Sequence, residues 1–165
     1  MFKKLFALVS AFALSHAVAA EVPIVGTVDS KCVVTTDTQG VYGNPSPSEL
    51  TTKISSGGVP PIVRYDVIQA DYYKALLSYP NSFSESPSLD DVVNWVGEVT
   101  VSEVSDAGMA AYDNDKRLYN NLTEIDLTIA GSTWFKIGST ATYGYDKAFP
   151  AGQYRSVVTA ECIAI

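Results

Sequence analysis

The chain is 165 residues long and acidic, with 18 Asp+Glu against 11 Lys+Arg, and it holds a single histidine. That histidine, His16, lies within the first twenty residues, so the remainder lacks the base of Ser-His-Asp and Cys-His catalysis and the commonest metal ligand. The negative balance speaks against nucleic acid or an anionic membrane as partner, and the length fits one domain with its own core.

Residues 1–20 follow the pattern of a secretory signal peptide. Lys3 and Lys4 begin it, LFALVSAFAL forms an apolar run, and Ala17-Val18-Ala19-Ala20 offers small residues for cleavage. The run is shorter than the ~20 residues that cross a bilayer, so export without stable membrane insertion is expected, the mature chain starting at Ala20 or Glu21. Loss of this leader removes two lysines and leaves a charge of about −9. Residues 21–31 then form an N-terminal extension in which Val22, Ile24, Gly26 and Val28 take every second position. Such a segment is either the first strand of the domain or a strand presented to another molecule.

Residues 32–165 read as one all-β domain. Strand signals, rich in β-branched and aromatic residues, cover Cys32–Thr36, Ile62–Ile68, Val92–Val104, Leu122–Ile129, Thr133–Thr142 and Tyr154–Ile163. Turn clusters such as GVYGNPSPS, SSGGVPP and FPAGQ separate them. Several runs alternate apolar and polar residues, which predicts strands with one buried and one wet face in an antiparallel β-sandwich. Short helical insertions are expected over Ala70–Tyr79, where Tyr73, Leu76 and Leu77 share a helical face behind Asp71 as cap, from Ser88 onward, and over Ala107–Tyr112.

Candidate chemistry is sparse. Cys32 and Cys162, an even pair in an exported chain, are expected to form a disulfide, and their spacing lacks the paired pattern of a zinc site. Asp113-Asn114-Asp115, with Asn120, Asn121, Glu124 and Asp126, supplies oxygen ligands but not the glycine and terminal glutamate of a calcium-binding EF-hand loop. Asp90-Asp91 reads as the acidic start of a short helix, and Asn121-Leu122-Thr123 as a glycosylation sequon or simply the beginning of a strand. Trp95 and Trp134 are expected in the core, and ten tyrosines suit half-buried faces and protein contacts. No catalytic residue, metal or cofactor is expected.

Two stretches carry a family resemblance: Val22-x-Ile24-x-Gly26-x-Val28 followed by Cys32, and Pro150-Ala151-Gly152-Gln153-Tyr154 leading into Val157-Val158. The first resembles the donor segment, and the second the final turn and strand, of fimbrial (pilus) subunits assembled by the chaperone–usher pathway. The resemblance implies an immunoglobulin-like sandwich that lacks its last strand and is completed by a strand from a neighbour. It assigns Val22, Ile24, Gly26 and Val28 to the donated strand, and Tyr154, Val157 and Thr159 to the last strand, lining or flanking the acceptor groove. The implied partners are further subunits in a filament, a periplasmic chaperone and an outer-membrane usher, with passage through the periplasm to the cell surface or outside. The alternatives are a self-contained exported β-sandwich that binds a carbohydrate or protein, and an exported hydrolase working with carboxylates.

Overall fold

A computed structural model of the chain describes residues 24–25, 31–145 and 147–165. The expected leader lies outside the described residues, as do Val22, Gly26 and Val28, whereas Ile24 is fully exposed. Among the described residues no helix is long and apolar enough to cross a membrane.

The fold is an all-β sandwich of two antiparallel sheets. The larger contains β1 (Cys32–Thr38), β2 (Gly43–Ser46), β3 (Glu49–Thr51), β4 (Ile62–Val67), β6 (Val93–Val104) and β9 (Gly131–Tyr143); the smaller contains β5 (Tyr73–Ser78), β7 (Arg117–Tyr119), β8 (Leu122–Asp126) and β10 (Thr159–Ala164). Strand order is β1-β4-β9-β3-β2 in the first, with β6 along the other side of β9, and β10-β5-β8-β7 in the second.

Alternation dictates the layers. Along β9, Thr133, Phe135, Ile137, Ser139, Ala141 and Tyr143 are buried while the residues between them are half-exposed. Phe135 meets Tyr65 of β4 edge to face at 5.5 Å, and Ala75 and Leu77 of β5 and Ile125 of β8 close the core from the smaller sheet. Tyr65 also pegs the sheets together, because its hydroxyl reaches the carbonyls of Leu76 (3.2 Å) and Glu161 (3.1 Å) on the opposite layer. Burial pushes its pKa well above the ordinary phenol value.

Four expectations need correction. Ala70–Tyr79 forms no helix: β5 occupies Tyr73–Ser78, and Asp71, expected as a cap, has φ 63 in the preceding turn. Ala75 and Leu77 satisfy a period of two as well as Tyr73, Leu76 and Leu77 satisfy a helical one, and pairing with β8 and β10 on both sides decides the matter. No helix begins at Ser88 either; Asp90 and Asp91 bind Lys147 instead. The final strand starts at Thr159 rather than Tyr154. Trp134 lies on the half-exposed outer side of β9, with Arg64 Cζ 5.8 Å from its ring centre. The helical expectation over Ala107–Tyr112 is met by a 3-10 turn, Ala107–Ala111, leading into α1 (Tyr112–Asp115).

Candidate functional site: a groove between the first and last strands

An exposed sheet edge offers free N–H and C=O groups to other chains, and proteins usually blunt it. Three edges here are blunted. β2 contains Pro45, which cannot donate to a ladder. β6 has side chains on its backbone: Asp113 accepts from Val101 N (3.0 and 3.2 Å) and Lys116 Nζ donates to Val99 O (2.6 Å). β7 is only three residues long.

The remaining edges belong to β1 and β10, which among the described residues pair with β4 and β5 alone. Neither contains proline. These two edges lie side by side, and a groove of about 1010 Å³ runs between them. Val34, Thr36 and Thr38 of β1 form one wall; residues 152–158 and Ala160 form the other; Leu50, Val63 and Ser139 reach its floor. At one end Cys32 and Cys162 are joined in the expected disulfide, with Cα atoms 6.3 Å apart. Towards the other end Tyr42 Oη shares hydrogen bonds with Ser156 Oγ (2.7 Å) on the far wall and with Ser139 Oγ (3.1 Å) below. The groove is thus tied across at both ends.

The C-terminal wall is not a regular strand. It is held from outside by a bridge between Glu85 and Arg155, in which Arg155 N donates to Glu85 O at 2.8 Å and Glu85 N to Arg155 O at 3.2 Å. It is held from inside by an aromatic cluster. Phe83 packs against Trp95 (4.7 Å), Tyr154 (5.1 Å) and Phe149 (6.0 Å), and Phe149 stacks on Tyr143 (5.1 Å). A polar latch closes the cluster: Asp90 accepts from Tyr143 Oη and from Lys147 Nζ (3.0 Å), and Lys147 also reaches Asp91 (3.3 Å). The Tyr143 hydroxyl first, then Lys147, holds the Asp90 carboxyl below the usual carboxylate range. Asp91 is lowered by the Val92 N–H and then by Lys147.

Tyr154 and Val157 therefore sit on the groove wall, Tyr154 with its ring in the aromatic cluster and Val157 exposed. Thr159 opens β10 with an exposed side chain and does not line the groove. Tyr42, Ser139 and Ser156, which cross the groove, were invisible to sequence reasoning: Tyr42 stands in a turn-like cluster, and nothing local ties it to residues about a hundred positions away.

Other candidate chemistry has ordinary employment. Asp113 caps β6 and pairs with Lys116. Glu124 and Asp126 share Arg117 (2.7 and 2.8 Å), with Lys74 beside them, so that Arg117 and then Lys74 lower the Glu124 pKa. The Asn121 side-chain amide donates to Tyr79 O (2.9 Å) at the start of β8. Among the described residues no group of three or more His, Cys, Asp or Glu side chains is placed to hold a metal ion.

No family model, no curated protein and no solved structure matches the chain, so the functional reading rests on this geometry and the residues that build it.

Proposed function

We propose that the chain is an exported structural subunit of a bacterial surface fimbria that polymerises by donor-strand exchange and so supports adhesion. On this reading the sandwich is immunoglobulin-like and lacks one strand. The groove between β1 and the C-terminal wall takes that strand first from a periplasmic chaperone at an outer-membrane usher and then from the next subunit. The subunit makes and breaks no covalent bond in the exchange.

The observation that carries the reading is the contrast between blunted and unblunted edges. β2, β6 and β7 are protected, while β1, bulged between Thr36 and Thr38, and β10 flank a groove floored by Leu50, Val63 and Ser139, with no strand between them among the described residues. Its length supports the same reading. From Ser156 to Cys162 the wall spans about six residues, or ~20 Å at ~3.3 Å per residue, close to the reach of the alternating segment Val22–Val28. Strand addition of this kind takes affinity from backbone hydrogen bonds and specificity from alternate side chains in pockets.

The test is complementation with the peptide EVPIVGTV. Protein lacking residues 21–28 should remain folded, lose multimers, and gain thermal stability on adding the peptide. The same peptide with Gly26→Leu should not stabilise it. A full-length protein that stays monomeric, forms no filaments by electron microscopy and gains nothing from the peptide refutes the proposal and leaves the self-contained binding module as the better reading.

A further inference from the structure

On the opposite side of the larger sheet, Thr52 N still donates to Ser139 O of β9 (2.9 Å), and the segment that follows, Lys53 to Pro60, leaves a hollow of about 650 Å³ between itself and β6. β3 ends at Thr51, opposite Thr140, and β4 begins at Ile62, opposite Lys136; the hollow opens where these two strands fail to meet along β9. Gly138 lies in its floor. A Cβ there would meet Glu98 Cγ at 3.2 Å, so the glycine makes room for the Glu98 side chain to lie across the floor of the hollow.

Of the nine basic residues among the described ones, Lys31, Lys53, Lys136 and Arg155 make no ion pair, and two of these four meet at the hollow. Arg64, Lys74, Lys116, Arg117 and Lys147 all pair with carboxylates. Lys53 and Lys136 form no ion pair among the described residues, although acidic residues outnumber basic ones 18 to 11, and both line this hollow. Glu98 lies beside them, and Ile54 and Val96 present largely exposed apolar side chains at the rim.

We propose that this hollow binds a carboxylate-bearing sugar of the hexuronate class. The two ammonium groups take its carboxylate, Glu98 accepts from ring hydroxyls, and Ile54 and Val96 cover the C–H face of the ring. The Glu98 charge sets the site against more highly charged anions such as phosphate. The volume falls within the range of small-ligand pockets. This site stands independently of strand exchange in the groove.

The test is titration of the purified protein with glucuronate, glucose, acetate and inorganic phosphate, followed by amide NMR. Glucuronate should bind at least about tenfold more tightly than the other three, shifting resonances around Gly138. Lys53→Gln and Lys136→Gln should each weaken it by roughly tenfold, the usual scale for losing one charge-assisted contact. Gly138→Val should abolish binding by pushing Glu98 out of place, since its new Cβ would lie 3.2 Å from Glu98 Cγ and 3.8 Å from the Glu98 carbonyl. Acetate or phosphate binding as tightly as glucuronate, or glucuronate affinity unchanged in both lysine variants, overturns the proposal, and the lysine variants decide the case if Gly138→Val fails to fold.

Discussion

The Cys32–Cys162 bond is expected to supply about a third or more of the stability of the domain. It closes a loop with a sequence separation of 130. In the chain-entropy relation a loop of that size restricts the unfolded ensemble by ~17 cal/mol/K, or about 5 kcal/mol at 25 °C, against total stabilities of about 5–15 kcal/mol for native domains. The perturbation is the double substitution Cys32→Ala/Cys162→Ala, which also removes a buried sulfur from the core beside Val67 and Ala75. The assay is urea unfolding followed by tryptophan fluorescence. With an m-value of about 1–3 kcal/mol/M, the midpoint should fall by about 2 M or more, or the variant should be unfolded without denaturant. The slope should also rise, because the unlinked chain exposes more surface when unfolded. A loss below about 1 kcal/mol with an unchanged slope would refute the reasoning, and would mean that packing alone holds β1 against β10.

Three further outcomes are expected. Gly97→Ala should destabilise by about 2–3 kcal/mol in the same unfolding assay, because its Cβ would lie 2.4 Å from Tyr79 Cγ and 2.7 Å from the Gly138 carbonyl; a neutral result would mean that Tyr79 does not lie across β6. Tyr65→Phe should cost about 1–2 kcal/mol through loss of the cross-sheet hydrogen bond, with no change in secondary structure by far-UV circular dichroism. The Asp90–Tyr143–Lys147 latch should open only in acid. Both aspartates are held below the ordinary aspartate value of 3.8, so their contribution is complete above it and is lost as pH falls through the lowered folded value. Tyr143 ring resonances should therefore shift in that acid window, and Lys147→Gln should move the shift to higher pH; an unmoved transition would rule Lys147 out as the cause.

The parts of the fold legible in the sequence are those set by local periodicity. β6 and β9 fall within a residue or two of their expected limits, because long alternating runs have no competing helical reading. β5 was legible as an element but not as a strand, since a six-residue segment satisfies both periods and only its neighbours β8 and β10 choose between them. An aromatic residue in an alternating run suits either face of a strand, and the even-numbered position of Trp134 places it with Lys136 and Gly138 on the outer face. The disulfide followed from counting cysteines. The groove did not, because its walls come from residues 34–42 and 152–160, and the aromatic cluster behind it gathers Tyr42, Phe83, Trp95, Tyr143, Phe149 and Tyr154 from distant segments. Only the resemblance of the two termini pointed towards those walls.

The position of β9 has a consequence in time. One strand, Gly131–Tyr143, pairs with β3, β4 and β6, yet it lies in the last quarter of the chain, and β10 follows it. A polypeptide emerging amino terminus first has its hairpin partners in hand early but nothing to seat them on until about residue 143 has appeared. The larger sheet therefore condenses late, around a template that arrives nearly last, and folding should be slow for the size of the domain because most pairing spans long stretches of sequence. On the proposed route of export, that delay would leave the larger sheet unformed while most of the chain is still in passage.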